Sequence, residues 1–517
     1  MKRLGPFRLR RDTVARHYDI HSWLGLLGGL VFFICVYSGS LALFEQELLP
    51  WEQPQNRLVA TGEILSPDQA VAIAYEHFEG EPDLFVTLPS EANGGYTVRS
   101  FGEGGVETIR LHPSSGEVVE SEHEHALHFL THLHTDLHLP RPLGRYLVGF
   151  LGIFMLMSLI SGIMAHPKML KEFFLLRWRP SLRITFSDLH KQLGVWGLAF
   201  GLVMSFTGAI LGLLGLFAPI MVLSAFGGDV EKATEAFSGP HYEETGQSAT
   251  MLSVDQLMAD LEGRQQGMEV GSLNISHWGD ETAEVGFNLT EKPERRMVGG
   301  ETHRLSLVDG SPIFISAFTD RGAGNRLFGM VQPLHYALYG SLGLKLIYFV
   351  SGLVLSFGIL SGTVIWLQRR EAKEGTKEAR RYKRLGQLHL GVSLGLVLAS
   401  VLALGAGRWA PGTLETVFWT SWLACSVAAF TTQDGYRFTR IGVFAIAGLL
   451  ALVALGDLFS SSIQTPVTRQ VSLVLLALAL LTAAGGAFSP RRGKSKKRRK
   501  VSAMDSAAAA PAAGANP

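Results

Sequence analysis

Apolar and polar positions along this chain alternate in long blocks. Eight apolar runs reach or approach the roughly 20 helical residues that a bilayer core requires. They lie near Leu24–Phe44, Tyr146–Ala165, Val195–Ser224, Leu346–Leu367, His389–Ala406, Leu414–Phe430, Ile441–Ala454 and Val471–Phe488. The first has no small-residue cleavage site after it, and its pattern returns in the third, so it reads as a span and not as a removable signal. The predicted fold is a polytopic α-helical membrane protein of about eight transmembrane helices, with duplicated two-helix units. Composition agrees: 47% of the 517 residues are hydrophobic and 18% charged, as suits spans with polar insertions.

Charge sets the expected orientation. Lys2, Arg3, Arg8, Arg10, Arg11 and Arg16 precede the first span, and Lys168, Lys171, Arg177, Arg179 and Arg183 follow the second. Arg369, Arg370, Lys373, Lys377, Arg380, Arg381, Lys383 and Arg384 follow the fourth, and Arg491 to Lys500 the eighth. Eight crossings put all four groups on one side. The expected location is the bacterial inner membrane, with both termini cytoplasmic. In order, the chain divides into a cytoplasmic start (1–23), TM1 (24–44), a periplasmic module with a histidine-rich approach (45–142), TM2 (143–165), a loop (166–190), TM3 (191–224), a second periplasmic module (225–341), TM4 (342–367), a loop (368–388), TM5–TM8 (389–488) and a basic, disordered tail (489–517). The basic run of that tail suits anionic lipid headgroups.

The two long insertions share a plan. Ser66-Pro67-Asp68 is a helix start, with Ser as N-cap and Pro at N1, and Phe85–Leu88, Tyr96–Ser100 and Val106–Leu111 read as strands. In the second insertion Ser253 opens a helix and Val308-Asp309-Gly310 closes a hairpin. Each is expected to be a small α+β module, and neither holds an evident catalytic constellation.

The spans are duplicated as well. Leu133-His134, Gly144-Arg145 and Ser161-Gly162 recur as Leu334-His335, Leu344-Lys345 and Ser361-Gly362, with a constant offset of 200 from Arg145 onward. His21 is followed by Gly25 and Gly39, and His190 by Gly194 and Gly208 at the same intervals. Eighteen residues are five helical turns, so each histidine shares a face with the later glycine. Glycines there leave room for something flat, such as a porphyrin; close helix packing is the plainer alternative. Histidine ligates iron and is costly in a membrane. A lone interfacial histidine is unremarkable, but four in two matched pairs favour a cofactor. His21 with His190 at one end, and His134 with His335 at the other, are the expected axial ligands of two haems. His138, one turn beyond His134, is the alternative outer ligand. His166 and His389 are second-tier candidates.

If residues 123–138 form one helix, His125, His128 and His132 share one azimuth and His123, His134 and His138 another. The first group is a candidate surface metal site, although a polar approach helix explains it equally. The two cysteines, Cys35 and Cys425, both sit in apolar runs and exclude a disulfide framework, an iron–sulfur pattern and a CxxCH attachment. Haem would therefore be the b type, held by coordination and packing. No GxGxxG unit or P-loop is present. Electrons would come from quinol or a separate cytoplasmic reductase.

The stretches HSWLGLLGGLVFFICVYSG from His21, LSPDQAVAIA from Leu65, LHPSSGEVV from Leu111, LHTDLHLPRPLG from Leu133 and LHYALYGSLG from Leu334 resemble the PepSY-associated transmembrane proteins. That group includes iron-regulated inner-membrane ferrisiderophore reductases, which carry two haems. The resemblance covers about residues 15–370. This chain departs from it in the Pro140-Arg-Pro142 insertion and in four extra spans. It implies a membrane-bound oxidoreductase that reduces ferric siderophores or other ferric chelates and frees iron. The alternatives are a periplasmic transition-metal binding or transport protein and a non-enzymatic PepSY regulator of periplasmic proteases. Nucleic acid is not an expected partner.

Overall fold

In a computed structural model of the chain, the described residues are 10–488, apart from 91–93, 103–104, 121–124, 167, 170, 178–181, 266, 292–300, 317–321, 372–376 and 461. His123, Lys2, Arg3, Arg8, Arg179, Lys373 and the basic tail from Arg491 lie outside them.

Helix α1 (Arg11–Ala42) is followed by the short α2 (Glu45–Glu52). The first insertion then forms α3 (Pro67–His77) and strands β1 (Asp83–Thr87), β2 (Tyr96–Gly102), β3 (Gly105–Leu111) and β4 (Val118–Glu120). Helix α4 (Ala126–Thr135) leads to α5 (Leu143–Ala165). Next come α6 (Leu182–Trp196) and α7 (Leu198–Phe226), which meet at Gly197, so the expected loop of 166–190 is helical from Leu182. The second insertion holds α8 (Val230–Ser238), α9 (Val254–Arg264), β5 (Met268–Ser276), β6 (Glu284–Glu291), β7 (Glu301–Ser306) and β8 (Pro312–Ser316). Helices α10 (Gly322–Gly329) and α11 (Val331–Tyr336) approach α12 (Leu342–Glu371), and α13 (Lys377–Trp409), α14 (Leu414–Thr431), α15 (Gly435–Leu458) and α16 (Pro466–Phe488) complete the fold.

Among the described residues, 7 helices are long and apolar enough to cross a membrane: α1, α5, α7, α12, α13, α15 and α16. The eighth expected span, α14, forms a helix of only 18 residues. Glu415 and several Ser and Thr residues dilute its apolar character. It lies close along α13, where a Cβ at Gly391 would sit 2.7 Å from the Ser426 backbone.

The first four spans form one bundle: α1 packs on α5 and α12, α5 on α7, and α6 on α12. Phe32, Met155 and Leu355 fill its middle. Helices α13–α16 share a second core with α4, in which Phe129, Leu130 and Leu133 bury against Leu396, Leu404 and Phe418. A buried polar knot ties the two parts together. Arg57 pairs with Asp457 at 2.6 Å, Asp457 also faces Arg408 at 3.3 Å, and Trp51 donates to Ser472 at 2.8 Å.

The two insertions do not form separate modules. Their strands join in one 8-stranded sheet, ordered β4-β3-β2-β1-β5-β6-β7-β8. The seam is the antiparallel pairing of β1 with β5, with Leu84 opposite Ile275 and Val86 opposite Leu273. Helices α3 and α9 cover one face, burying Val71, Ala74, Val254 and Leu261 on Leu84, Val98, Ile275 and Phe287. A fully buried Leu, Val or Phe side chain contributes about 1.5–3 kcal/mol. The helix starts also hold each other: Asp68 Oδ1 accepts from the Val254 N–H at 2.7 Å, and Asp255 Oδ1 from the Asp68 N–H at 3.0 Å. The hairpin closed by Val308-Asp309-Gly310 forms as expected, with Gly310 at φ 72°.

Candidate functional site

The four histidines of the repeat meet in two pairs. At the start of α1 the ring of His21 lies 5.8 Å, centroid to centroid, from that of His190 on α6. At the other end, His134 on α4 stacks against His335 on α11 at 6.0 Å and 22°. His21 and Gly39 are separated by 18 residues of α1, about 27 Å at 1.5 Å per residue.

Each ring is held the same way. His21 Nδ1 donates to the Ser158 carbonyl at 2.8 Å, His134 Nδ1 to the Cys35 carbonyl at 2.8 Å, and His190 Nδ1 to the Gly358 carbonyl at 2.8 Å. The fourth, His335 Nδ1, lies 2.9 Å from Thr207 Oγ1. That hydroxyl donates its own proton to the Val203 carbonyl at 2.7 Å, so it accepts from His335. All four imidazoles therefore carry the proton on Nδ1 and the lone pair on Nε2, the arrangement that prepares an imidazole for a metal. Burial holds the outer pair neutral: the His335 imidazole is pulled down to about 3, and His134 is lowered by the same cause.

Glycine completes each seat. A Cβ at Gly39 would stand 2.6 Å from the His134 ring, at Gly208 3.0 Å from His335, at Gly162 3.1 Å from His21, and at Gly362 2.9 Å from His190. Gly39 and Gly208 admit the imidazole of the facing element. A Cβ at Gly25 or Gly194 would meet nothing within 4 Å. The sequence reading gave no role to Gly162, Gly362 or the carbonyls of Ser158 and Gly358. Their signal was present: in three seats the accepting carbonyl lies four residues before the glycine, one turn along the same helix.

The remaining histidines separate from the pairs. Helix α4 ends at Thr135, and His138 lies beyond it at φ 54°, so the single helix over 123–138 does not form. Asp136 organises this turn, accepting from the His138 N–H at 3.1 Å and from Arg141 Nε at 2.9 Å. The His138 ring packs 4.1 Å from that of Phe129 and 5.7 Å from that of Trp419. His134, and not His138, faces His335. His132 faces Asp136 at 3.1 Å, while its ring stays 4.8 Å from that of His128, itself 5.5 Å from that of His125. The group with metal-ligand spacing is Glu45, His125 and His128, with donor atoms within 4.8 Å of one another. In it His125 Nδ1 accepts the His128 N–H at 3.2 Å as an N-cap, which leaves its proton on Nε2. His166 faces Glu172 at 3.8 Å. His389 is buried on α13, and its Nε2 has no hydrogen-bond partner among the described residues.

The outer pair opens into a cavity of about 1290 Å³. Its lining includes Phe32, Val36, Met155, Phe200 and Tyr348 of the bundle and Thr97 and Arg99 of the sheet.

These features define a polytopic helical membrane protein with two facing imidazole pairs, each built from both halves of a repeat. Residues 18–369 match the PepSY-associated TM region, and the chain belongs to that family. It is 31% identical over 345 residues to an uncharacterized protein of Pseudomonas aeruginosa, across 64% of this chain and 86% of the relative.

Proposed function

We propose that the protein is an inner-membrane b-type cytochrome that passes electrons through two haems to ferric chelates outside the cytoplasm. The observation that carries this reading is the spacing and tautomer of the paired histidines. Two imidazole nitrogens on opposite sides of one iron, each about 2 Å away with the ring centre roughly 1 Å further, place the ring centres about 6 Å apart. The observed separations are 5.8 and 6.0 Å. Haem iron held by two histidines supplies one-electron transfer, with no open position for oxygen.

In this reading the chain supplies ligands and insulation. The carbonyls of Ser158, Gly358 and Cys35 and the hydroxyl of Thr207 fix the imidazoles and raise their basicity. The open space beside Gly25 and Gly194 gives a macrocycle room next to the inner pair. Phe32, Met155 and Leu355 keep water out between the centres. The basic segments favour placing the inner pair on the cytoplasmic side, where quinol or a soluble reductase donates. The outer pair, open to the cavity, then faces the ferric chelate, a siderophore among the candidates. Reduction weakens the chelate and frees Fe(II).

Purified protein from haem-replete cells should show a b-type spectrum and two haems per chain, extractable by acid acetone. His21→Ala or His190→Ala should remove one haem, and His134→Ala or His335→Ala the other. A colourless preparation would overturn the reading. Bound transition metal without haem absorbance would instead support ion binding at Glu45, His125 and His128.

A further inference from the structure

Two short helices outside the bundle, α2 and α4, pack on each other beside the outer pair. Their residues Glu45, His125 and His128 line the cavity that His134 and His335 also line. His125 is the N-cap of α4 and His128 lies three residues on, so both rings leave the same end of one helix. The ring centres are 5.5 Å apart. Glu45, the first residue of α2, reaches both: its Oε1 stands 3.0 Å from His128 Nδ1 and 3.8 Å from His125 Nε2. Thr131 Oγ1 meets the other carboxylate oxygen, Oε2, at 2.7 Å and orients it. The side chain of His125 is 12% exposed and that of His128 47%, so the group is closed at one end and open at the other.

The donor atoms lie within 4.8 Å of one another. Bonds of about 2.0–2.2 Å at tetrahedral angles would set them roughly 3.3 Å apart, so shifts of at most about 1.5 Å close the group around an ion. Two positive features bear on the place. The start of α4 is the positive end of a helix dipole, and Arg110 on β3 acts on His125 through its charge. The Glu45 carboxylate offsets both, which makes it the ligand whose loss should cost most. In the structure protons hold the three groups together, with His128 Nδ1–H donating to Oε1 at 3.0 Å. An ion at the centre takes over that role. His128 then carries its proton on Nε2, and His125 carries its own on Nδ1, giving up the cap on the His128 N–H at 3.2 Å. Both are tautomer shifts, so no proton leaves the protein.

We propose that Glu45, His125 and His128 form a non-haem metal site that takes one divalent first-row transition ion. Two imidazoles and a carboxylate suit such ions; magnesium and calcium prefer oxygen ligands throughout. Three protein ligands also leave positions open for water or a chelator that carries the ion away. The choice of ion rests on the reading under Proposed function: iron(II) freed at the outer pair meets imidazole ligands in the same cavity. The site itself does not need haem.

The test uses zinc(II), which is redox-inert. Full-length protein in detergent, with any histidine tag removed, is dialysed against zinc and the bound metal is counted by mass spectrometry. One zinc per chain should depend on this group, and a thousandfold excess of magnesium should not displace it. Glu45→Gln should weaken binding about a hundredfold, and His128→Ala and His125→Asn tenfold or more. Asparagine keeps a good N-cap, so the last variant separates loss of a ligand from loss of the helix start. His77→Ala, on α3, should leave binding unchanged. A zinc that magnesium displaces overturns the proposal. So does an affinity within twofold of wild type in Glu45→Gln or His128→Ala, or an equal loss with His77→Ala. Under anaerobic conditions an excess of iron(II) should displace the zinc; if it does not, iron(II) is not the ion. A colourless protein that binds zinc through these residues overturns the cytochrome alone. A two-haem protein that takes up no such zinc overturns this site alone.

Discussion

The two histidine pairs use one device in different settings. The inner pair is symmetric. His21 and His190 sit on helices α1 and α6, and each Nδ1 donates to a main-chain carbonyl of a neighbouring span, α5 or α12. The outer pair is lopsided. Its histidines sit on short helices, one held by a carbonyl and the other by the Thr207 hydroxyl. Helix α4 packs on α1, α2 and α13, and α11 mainly on α7. Both pairs are thus anchored on the spans; the outer pair differs in that its histidines stand on short helices.

The largest effect that separates the pairs should come from their glycine seats. Gly39→Ala puts a methyl group 2.6 Å from the His134 ring, overpacking that costs about 1–3 kcal/mol. It should displace the outer imidazole and spare the inner pair, while Gly162→Ala should do the reverse more mildly, from 3.1 Å. Gly25→Ala, with open space before it, should do neither. Visible spectra and melting curves of the three variants decide this; identical spectra throughout would remove the distinction between the seats.

A pH dependence should belong to the outer pair alone. Glu52 Oε1 accepts the Ala126 N–H at the start of α4, and burial raises this carboxyl from an ordinary 4.5 to about 8. Its protonated form is the one that folds. Its contribution is complete below pH 4.5 and is lost as pH rises towards 8, where the folded chain also ionises. Melting temperature should therefore decline across that window in wild type and flatten in Glu52→Gln. An unchanged slope in the variant would show that another group carries it.

The smallest effect should follow Thr207→Val. His335 Nδ1–H then loses its acceptor, at a cost of about 0.5–1.5 kcal/mol. If the pairs hold iron as proposed, a less basic imidazole favours the reduced metal, so the midpoint potential at the outer pair should rise while that at the inner pair stays fixed. A shift in both would mean that the centres are not independently tuned.

Much of this was legible from position alone. The Leu-His pair that recurs ahead of the repeat named His134 with His335, and the interval from histidine to glycine named His21 with His190. What position alone did not show was which side chain each glycine would meet. A helical face shows that Gly39 looks the same way as His21, but not that the imidazole of another element will fill the space before it. His138 was a rival to His134 only while the approach was taken as one helix; Asp136 ends that helix by binding the turn after it. Helix α14 was expected as a span because its apolar residues were weighed without Glu415 and its hydroxyls. The joining of the two insertions left no local trace, since the β1–β5 edge pairs strands that are far apart in sequence.

That edge has a consequence for how the protein is made. Leu84 pairs with Ile275, so β1 emerges from the ribosome 191 residues before its partner. At about 5–20 residues per second this is roughly 10–40 s of synthesis. Two more helices must enter the membrane in that interval. Throughout it the first half-sheet waits with an open strand edge, the kind of surface that recruits stray chains. Maturation then becomes a race between insertion of α5 to α7 and capture of β1 by a stranger. Slowed translation between the insertions should lower the yield of folded protein, although no residue of the finished molecule has changed.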